Sequence, residues 1–172
     1  MKRAWRAAPR ARWIAVAALV AAALVVVELL SGGGSQQTGR AAPPLPTKAL
    51  RPPGTDLAAL RGKAALIDFF ASWCGPCHEE APALRKLSAA LGDKANVVAV
   101  DWDDADGPGR AFVRRYGWTF PVLADTSGEA GESYGFTGLP ASFVLDPEGR
   151  IVATFRGPQS EETLRRALLE AS

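Results

Sequence analysis

AALIDFFASWCGPCHEEAPALRKL, residues 64–87, carries the most structural information in this sequence. Its first part, AALIDFF (64–70), is a short apolar run typical of a buried β-strand. CGPCHEEAPALRKLSAALG (74–92) has apolar residues at helical spacing and ends in a glycine stop. The chain is therefore predicted to pass from a buried strand into a helix, with Cys74 and Cys77 where the helix begins.

The segments that follow alternate between strand and helix patterns. The predicted strands are NVVAVDW (96–102), FPVLAD (120–125), ASFVLD (141–146) and RIVATFRG (150–157), and the predicted helices are GRAFVRRYG (109–117), SGEAGESYG (127–135) and EETLRRALLE (161–170). The turn Pro147-Glu148-Gly149 makes the last two strands a hairpin. Ser160 is a good N-cap for the terminal helix, whose Leu164, Leu168 and Leu169 are expected on one face. We expect an α/β fold, a mixed sheet with helices on both faces.

An apolar segment near the N-terminus predicts a membrane anchor. Residues 13–30, WIAVAALVAAALVVVELL, contain one charge, Glu28. Eighteen residues form a helix of roughly 27 Å, close to the roughly 30 Å hydrocarbon core. Basic residues precede the segment, whereas the next one after it is Arg40, so residues 1–12 are expected in the cytoplasm. A cleaved secretory signal is the alternative, and it exports the same domain.

The remaining chain is predicted to lie outside the cytoplasm. Residues 31–54 are rich in Gly, Ser, Gln and Pro and are expected to form a flexible linker, followed by one domain over residues 55–172. Residues 41–172 hold 14 basic and 17 acidic side chains. This mildly acidic balance argues against a nucleic-acid-binding protein, which would carry a basic surface.

The placement of the two cysteines indicates redox chemistry. Unpaired N–H groups at the start of a helix favour a thiolate at Cys74 and lower its pKa, and Pro76 suits the first turn. Spacing of i and i+3 lets Cys74 and Cys77 close a small ring that opens with little backbone movement. A structural disulfide is the alternative, although such bridges stabilise more when they span a longer loop.

These motifs resemble the thioredoxin superfamily, through FFASWCGPC after a strand, Pro82 in the helix and Gly138-Leu139-Pro140 before the hairpin. The predicted export and the stretches GKAALIDFFASWCGPCHEEAPALRKL and GLPASFVLDPEGRIVATFRG are similar to the TlpA/ResA-type membrane-anchored branch over roughly residues 45–172. The resemblance implies a thioredoxin fold and thiol-disulfide oxidoreductase activity. It implies no cofactor, and we expect a monomer.

The resemblance also assigns roles to individual residues. It implies that Cys74 is the exposed attacking thiolate and Cys77 the buried resolving thiol, with Trp73 covering the pair and Gly75 and Pro76 supporting it. It further implies that Pro140 is cis and faces the disulfide. The backbone of Leu139 would then pair with an extended substrate segment.

Asp68 is a candidate proton acceptor, because a carboxylate on an apolar strand should have a raised pKa and could accept the proton of Cys77. Thioredoxin has an acid at the matching place. The alternative is an Asp68 satisfied by a hydrogen bond or by an ion pair, for instance with Lys63 or Lys94.

His78 gives rise to an alternative interpretation as a haem protein, because CGPCH is formally the signature of c-type haem attachment. The usual second axial ligands are missing, since His78 is the only histidine and Met1 the only methionine. A polar residue in the first helical turn that tunes Cys74 is the favoured interpretation. A zinc site is not favoured, because the two cysteines and His78 provide three ligands and a fourth is missing.

The aspartates at 101, 103, 104 and 106 do not match the spacing of a calcium-binding loop. They predict a solvated acidic loop instead.

The direction of electron flow follows from the dipeptide between the cysteines. Gly75-Pro76 is similar to that of reducing thioredoxins, which favours reduction of cysteine pairs in exported proteins such as apocytochrome c, a copper chaperone or a misfolded secreted chain. An exported reductant needs a transmembrane electron donor of the CcdA or DsbD type. An oxidant with a quinone-linked partner is the alternative.

Overall fold

A computed structural model describes residues 39–172, which form one mixed six-stranded sheet with helices packed on both faces. The strands are β1 (Ala49–Arg51), β2 (Ala65–Phe70), β3 (Asn96–Trp102), β4 (Val122–Asp125), β5 (Ala141–Leu145) and β6 (Ile151–Arg156). The helices are α1 (Leu57–Leu60), α2 (Gly75–Leu91), α3 (Asp106–Tyr116), α4 (Glu129–Tyr134) and α5 (Glu161–Glu170), with a 3-10 turn at Gly92–Lys94. The predicted thioredoxin-like α/β fold is confirmed.

The strand order is β1-β4-β3-β2-β5-β6, in which β2, β3 and β4 are parallel. β1 is antiparallel to β4, and the hairpin of β5 and β6 lies antiparallel against β2. The three parallel strands end together at Phe70, Trp102 and Asp125. We call this side of the sheet the cysteine end, because β2 leads from it into Cys74, and the opposite side the far end.

Side-chain alternation along β2 supplies both layers of the core. All six residues of β2 are buried. Leu66 and Phe70 belong to the layer with α2, α3 and α5, whereas Ile67 and Phe69 belong to the layer with α4 and α1. Asp68 points to the first of these layers, because successive strand residues face opposite sides of the sheet.

The N-terminal border of the domain differs from the prediction. The prediction of a flexible linker over residues 31–54 is wrong for residues 39–54, the part that the structure describes, because these residues pack on the domain. Leu50 in β1 is 1% exposed, Leu45 is 9% exposed, and Ala41 bridges Arg150. Pairing of β1 with β4 and burial of these leucines stabilise a segment whose composition alone predicts flexibility.

The terminal helix is confirmed with one correction. Ser160 caps α5 by accepting a hydrogen bond from the Thr163 amide at 3.1 Å. Leu164 and Leu168 are buried, whereas Leu169 is 52% exposed. Leu169 follows Leu168 by about 100° around the helix, and this rotation carries it off the buried face.

No helix within residues 39–172 is long and apolar enough to cross a membrane. The anchor predicted over residues 13–30 lies outside the described residues.

Candidate active site

The redox pair occupies the N-terminus of α2. Cys74 is the N-cap residue, and its Sγ accepts a hydrogen bond from the Cys77 amide at 3.2 Å. The two residues form a disulfide with a Cα–Cα distance of 5.3 Å. Pro76 lies in the first turn, where its missing N–H leaves no donor unpaired. The amide directed at Cys74 Sγ is the contact that favours a thiolate there after reduction.

The burial of the two cysteines differs from the expectation of an exposed Cys74 and a buried Cys77. In the disulfide, Cys74 is 5% exposed and Cys77 is 2% exposed, so neither sulfur is freely open to solvent. Gly75 and Pro76, between them, are both exposed. Access to Cys74 is therefore expected from the side of Gly75 and Pro76.

The loop before Cys74 is held by three hydrogen bonds. The Ser72 amide donates to Asp104 Oδ2 at 2.7 Å, and the Ser72 carbonyl accepts from His78 Nε2 at 3.0 Å. Trp73 Nε1 donates to the Asp103 carbonyl at 3.2 Å. Trp73 remains 59% exposed, and its ring lies 6.3 Å from that of Trp102. Trp73 thus leans toward the β3–α3 loop and presents an exposed aromatic surface beside the pair.

His78 has both ring nitrogens engaged. Nε2 donates to the Ser72 carbonyl, which can only accept, and Nδ1 lies within hydrogen-bond distance of the Tyr116 hydroxyl, at 2.8 Å. The ring also packs on Phe112, with centroids 4.7 Å apart. These contacts support a positioning role for His78 rather than ligation of a haem iron.

Pro140 lies at the same end of the sheet as the cysteines. The Leu139–Pro140 peptide bond is cis, as predicted. Pro140 directly precedes β5, and its neighbour Ala141 pairs with Phe69 near the end of β2. Pro140 is buried and Leu139 is half-buried. The cis peptide therefore stands beside the strand that leads to Cys74.

Asp68 is a buried carboxyl group beneath α2. It is 1% exposed, and its Oδ1 accepts a hydrogen bond from Ser142 Oγ at 2.7 Å. Its Oδ2 has no hydrogen-bond partner among the described residues. Burial, reinforced by the nearby Glu80, raises the pKa of Asp68 well above its usual range. The raised pKa matches the prediction, and the hydrogen bond of the alternative is also present, donated by Ser142 rather than by a lysine.

Glu80 is a second buried carboxyl and was not among the predicted site residues. It is 1% exposed; its Oε1 accepts from the Gln159 amide at 2.8 Å, and its Oε2 is unpartnered within residues 39–172. Burial raises the pKa of Glu80 to about 7. The available signal was helical spacing, because Glu80 falls on the same buried stripe of α2 as Cys77 and Leu84.

Asp101 corrects another expectation, since it is not part of a solvated loop. It is 1% exposed under α3, where Gly109 makes room for it, because a Cβ at that position would overlap Asp101 Oδ2. Burial, with Asp104 and Asp106 nearby, raises the pKa of Asp101 to about 8. Asp103, by contrast, is exposed as predicted.

A cysteine pair that closes across the first turn of a helix, with a backbone amide directed at one sulfur and buried carboxyls nearby, is arranged for thiol-disulfide exchange. Fold and site together define a thiol-disulfide oxidoreductase of the thioredoxin-like class. The chain belongs to the Redoxin family, whose sequence profile matches residues 37–169.

Similar proteins are named for the same activity. The chain is 32% identical to the thiol-disulfide oxidoreductase ResA of Bacillus thuringiensis over 77% of both chains. It is 33% identical to the thiol:disulfide interchange protein CycY of Rhizobium leguminosarum, over 78% of this chain and 72% of the relative. A crystal structure of a thiol:disulfide interchange protein of the thioredoxin family from Chlorobium tepidum is similar with a TM-score of 0.69 and 27% identity, over 77% and 95% of the two chains.

Proposed function

We propose that the protein is a membrane-tethered reductase of disulfides in exported proteins, with Cys74 as the attacking and Cys77 as the resolving thiol. The position of Cys74 at the N-cap of α2 carries this proposal, because the amide directed at its Sγ stabilises the attacking thiolate. Cys77 lies one turn inside the helix, and both cysteines are nearly fully buried in the disulfide, so position on the helix rather than exposure separates their roles.

The reaction moves two electrons from the protein to its substrate. The Cys74 thiolate attacks one sulfur of the substrate disulfide, which forms a mixed disulfide and releases the other substrate sulfur as a thiolate. Cys77 then loses its proton and attacks Cys74 Sγ. This second step releases the substrate with both sulfurs reduced and leaves the Cys74–Cys77 disulfide seen in the structure.

The buried carboxyl pair of Asp68 and Glu80 can accept the proton of Cys77. Asp68 Oδ2 and Glu80 Oε2 both lack hydrogen-bond partners among the described residues, and both groups have raised pKa values. Like charges in a buried site favour one shared proton over two ionised groups. With one shared proton the pair still has one ionised carboxyl, which can take up a second proton as Cys77 is deprotonated and return it when the disulfide is reduced again.

Substrate binding is assigned to the loop before β5. The half-buried Leu139 precedes the cis peptide bond, and its backbone lies at the end of a strand next to β2. An extended segment around the substrate cysteine can pair with this backbone as a short added strand. The exposed ring of Trp73, next to Cys74 in the chain, supplies further apolar contact area.

A measured reduction potential tests the direction of electron flow. A value near the roughly −270 mV of thioredoxin supports a reductant, and a value near the roughly −120 mV of a strong oxidant overturns that direction. The purified protein should also reduce insulin disulfides with dithiothreitol as the electron source. Absence of this activity in correctly folded protein would contradict the exchange chemistry itself.

The membrane tether rests on residues 13–30 and on the basic residues that precede them. Protease added outside intact cells should digest residues 41–172 and spare a tag at Met1. Protection of the C-terminal domain would overturn the proposed topology. In this topology, a transmembrane electron donor of the CcdA or DsbD type would return the protein to its dithiol form.

A further inference from the structure

A cavity of about 310 Å³ opens between the edge strand β1 and helix α3, away from the cysteines. Its floor is apolar and consists of Leu50, Val113 and Trp118, which are 1%, 6% and 3% exposed. Its rim carries three arginines, Arg51, Arg110 and Arg114. We call it the arginine pocket.

The rim arginines are positively charged and weakly compensated. Arg51 Nη1 donates to the Phe120 carbonyl at 3.3 Å, and Arg110 donates to the Leu50 carbonyl, so neutral backbone atoms hold both guanidinium groups in place. The nearest acid to Arg110 is Asp106 at 3.9 Å, and Asp106 is itself paired with Lys48 at 2.8 Å. Within residues 39–172, neither Arg51 nor Arg114 has a salt bridge.

The pocket lies toward the far end of the sheet. Arg51 pairs with Val122, the first residue of β4, and α3 ends at Tyr116 near the same side. The chain also enters the described region at the far end, where Ala41 bridges Arg150. The cysteine end carries the acidic side chains of Asp103, Asp104, Asp106 and Glu129 together with the basic Lys48, paired with Asp106, and Arg156, whereas at the far end the hairpin turn holds Asp146 and Glu148 beside Arg150.

We propose that the arginine pocket binds the headgroup of an anionic phospholipid, so that the domain rests on the membrane with its cysteine end directed away. This inference rests on the proposed membrane tether. Guanidinium groups pair with phosphate oxygens through two parallel hydrogen bonds, and the apolar floor accommodates the glycerol and upper acyl carbons. An anionic surface attracts the basic pocket and repels the acidic cysteine end, and both effects favour the same orientation.

The test uses the full chain in lipid nanodiscs, with hydrogen exchange measured at the amides of residues 110–119. Discs that contain phosphatidylglycerol should slow this exchange relative to discs of phosphatidylcholine alone. The double variant Arg51→Gln/Arg114→Gln should weaken headgroup binding roughly 25-fold, at about fivefold for each arginine near an anionic surface. It should keep wild-type insulin reduction, which shows that it folds.

The variant Arg156→Gln/Arg166→Gln is the matched control, because it removes two exposed charges from β6 and α5. It should retain the slowed exchange. Equal exchange in the two kinds of disc, or equal loss in both variants, would overturn the lipid site. Slowed exchange with soluble glycerol phosphate at the disc phosphate concentration would also overturn it, in favour of a free-anion site. Co-purification with discs of either composition reports on the tether separately.

Discussion

Asp68 accepts a hydrogen bond from Ser142 at its Oδ1, whereas its Oδ2 has no hydrogen-bond donor among residues 39–172, with the carboxyl of Glu80 nearby. Asp68→Asn should fold at least as stably, above all at alkaline pH, where the buried carboxyl pair ionises at a cost in stability and an amide stays neutral. The variant should slow the step in which Cys77 resolves the mixed disulfide, because the proton acceptor is lost. Stopped-flow measurement of that step across about pH 6 to 9 checks the prediction.

Two further variants sharpen this test. Glu80→Gln should slow the same step, because Glu80 is the other half of the carboxyl pair. Asp103→Asn removes an exposed carboxylate on the cysteine end and should leave the rate unchanged. Unchanged kinetics in both buried variants would limit Asp68 and Glu80 to a structural role.

His78 is expected to act through the Ser72 carbonyl. His78→Leu removes the donor to that carbonyl and should slow attack by Cys74 about fivefold, since a hydrogen bond contributes roughly 1 kcal/mol. It should also shift the reduction potential. His78→Gln can still donate to Ser72 and should recover most of both properties. Equal behaviour of the two variants would show that only the space filled by the ring matters.

At the scale of elements, β1 belongs to the core of the domain. Leu50→Ala should lower the free energy of unfolding by about 2 to 5 kcal/mol, the range for a leucine removed from a packed core. Leu169→Ala, at a position 52% exposed, is the matched control and should change it by less than about 1 kcal/mol. Denaturant unfolding of the oxidised protein measures both. Similar small losses would mean that residues 39–54 contribute little to stability.

The sequence predicts the elements whose information is local. β2 and α2 follow from an uninterrupted apolar run and from helical spacing, and the hairpin follows from its turn residues. β1 and α1 were not predicted, because they have three and four residues and lie among prolines and polar residues. β1 is stabilised by pairing with β4, some seventy residues further along the chain, and no local pattern records that contact.

The candidate active site also has features that the sequence predicts and features that only the folded structure shows. Cys74 and Cys77 were predictable from a short motif, and the cis bond before Pro140 from the resemblance to the thioredoxin superfamily. The hydrogen bonds from Ser142 to Asp68 and from Gln159 to Glu80 join residues 74 and 79 positions apart. Only the folded domain brings these partners together, although the position of Glu80 on an apolar helix stripe was a usable local signal.

At the scale of the whole molecule, three buried carboxyls couple stability to pH. Asp68, Glu80 and Asp101 have folded-state pKa values above the roughly 4 of unfolded carboxyls. Between about pH 4 and pH 8 the unfolded chain releases protons that the native state keeps, so the free energy of unfolding falls as pH rises. Their contribution is fully present below about pH 4.

Asp101→Asn isolates one of these groups, since its carboxyl has a pKa of about 8 and no proposed part in exchange. The variant should lose less stability than wild type between about pH 5 and pH 8, with a difference in slope of up to about 1.4 kcal/mol per pH unit. Denaturant unfolding of the oxidised forms at both pH values measures it. Parallel stability profiles would show that Asp101 is ionised in the native state.

Trapping of mixed disulfides tests the division of labour between the two sulfurs most directly. With Cys77→Ser, Cys74 can still attack a partner disulfide, but no thiol remains to release the product, so mixed disulfides with natural partners should accumulate. Cys74→Ser should trap almost none, because Cys77 lies one turn inside α2, whereas the amide contact that favours a thiolate is made to Cys74 Sγ at the N-cap. The measurement is the amount of each variant found in thiol-sensitive complexes, with mass spectrometry to name the partners. Dominant trapping by Cys77→Ser is the predicted result, and equal trapping by the two variants would contradict the mechanism.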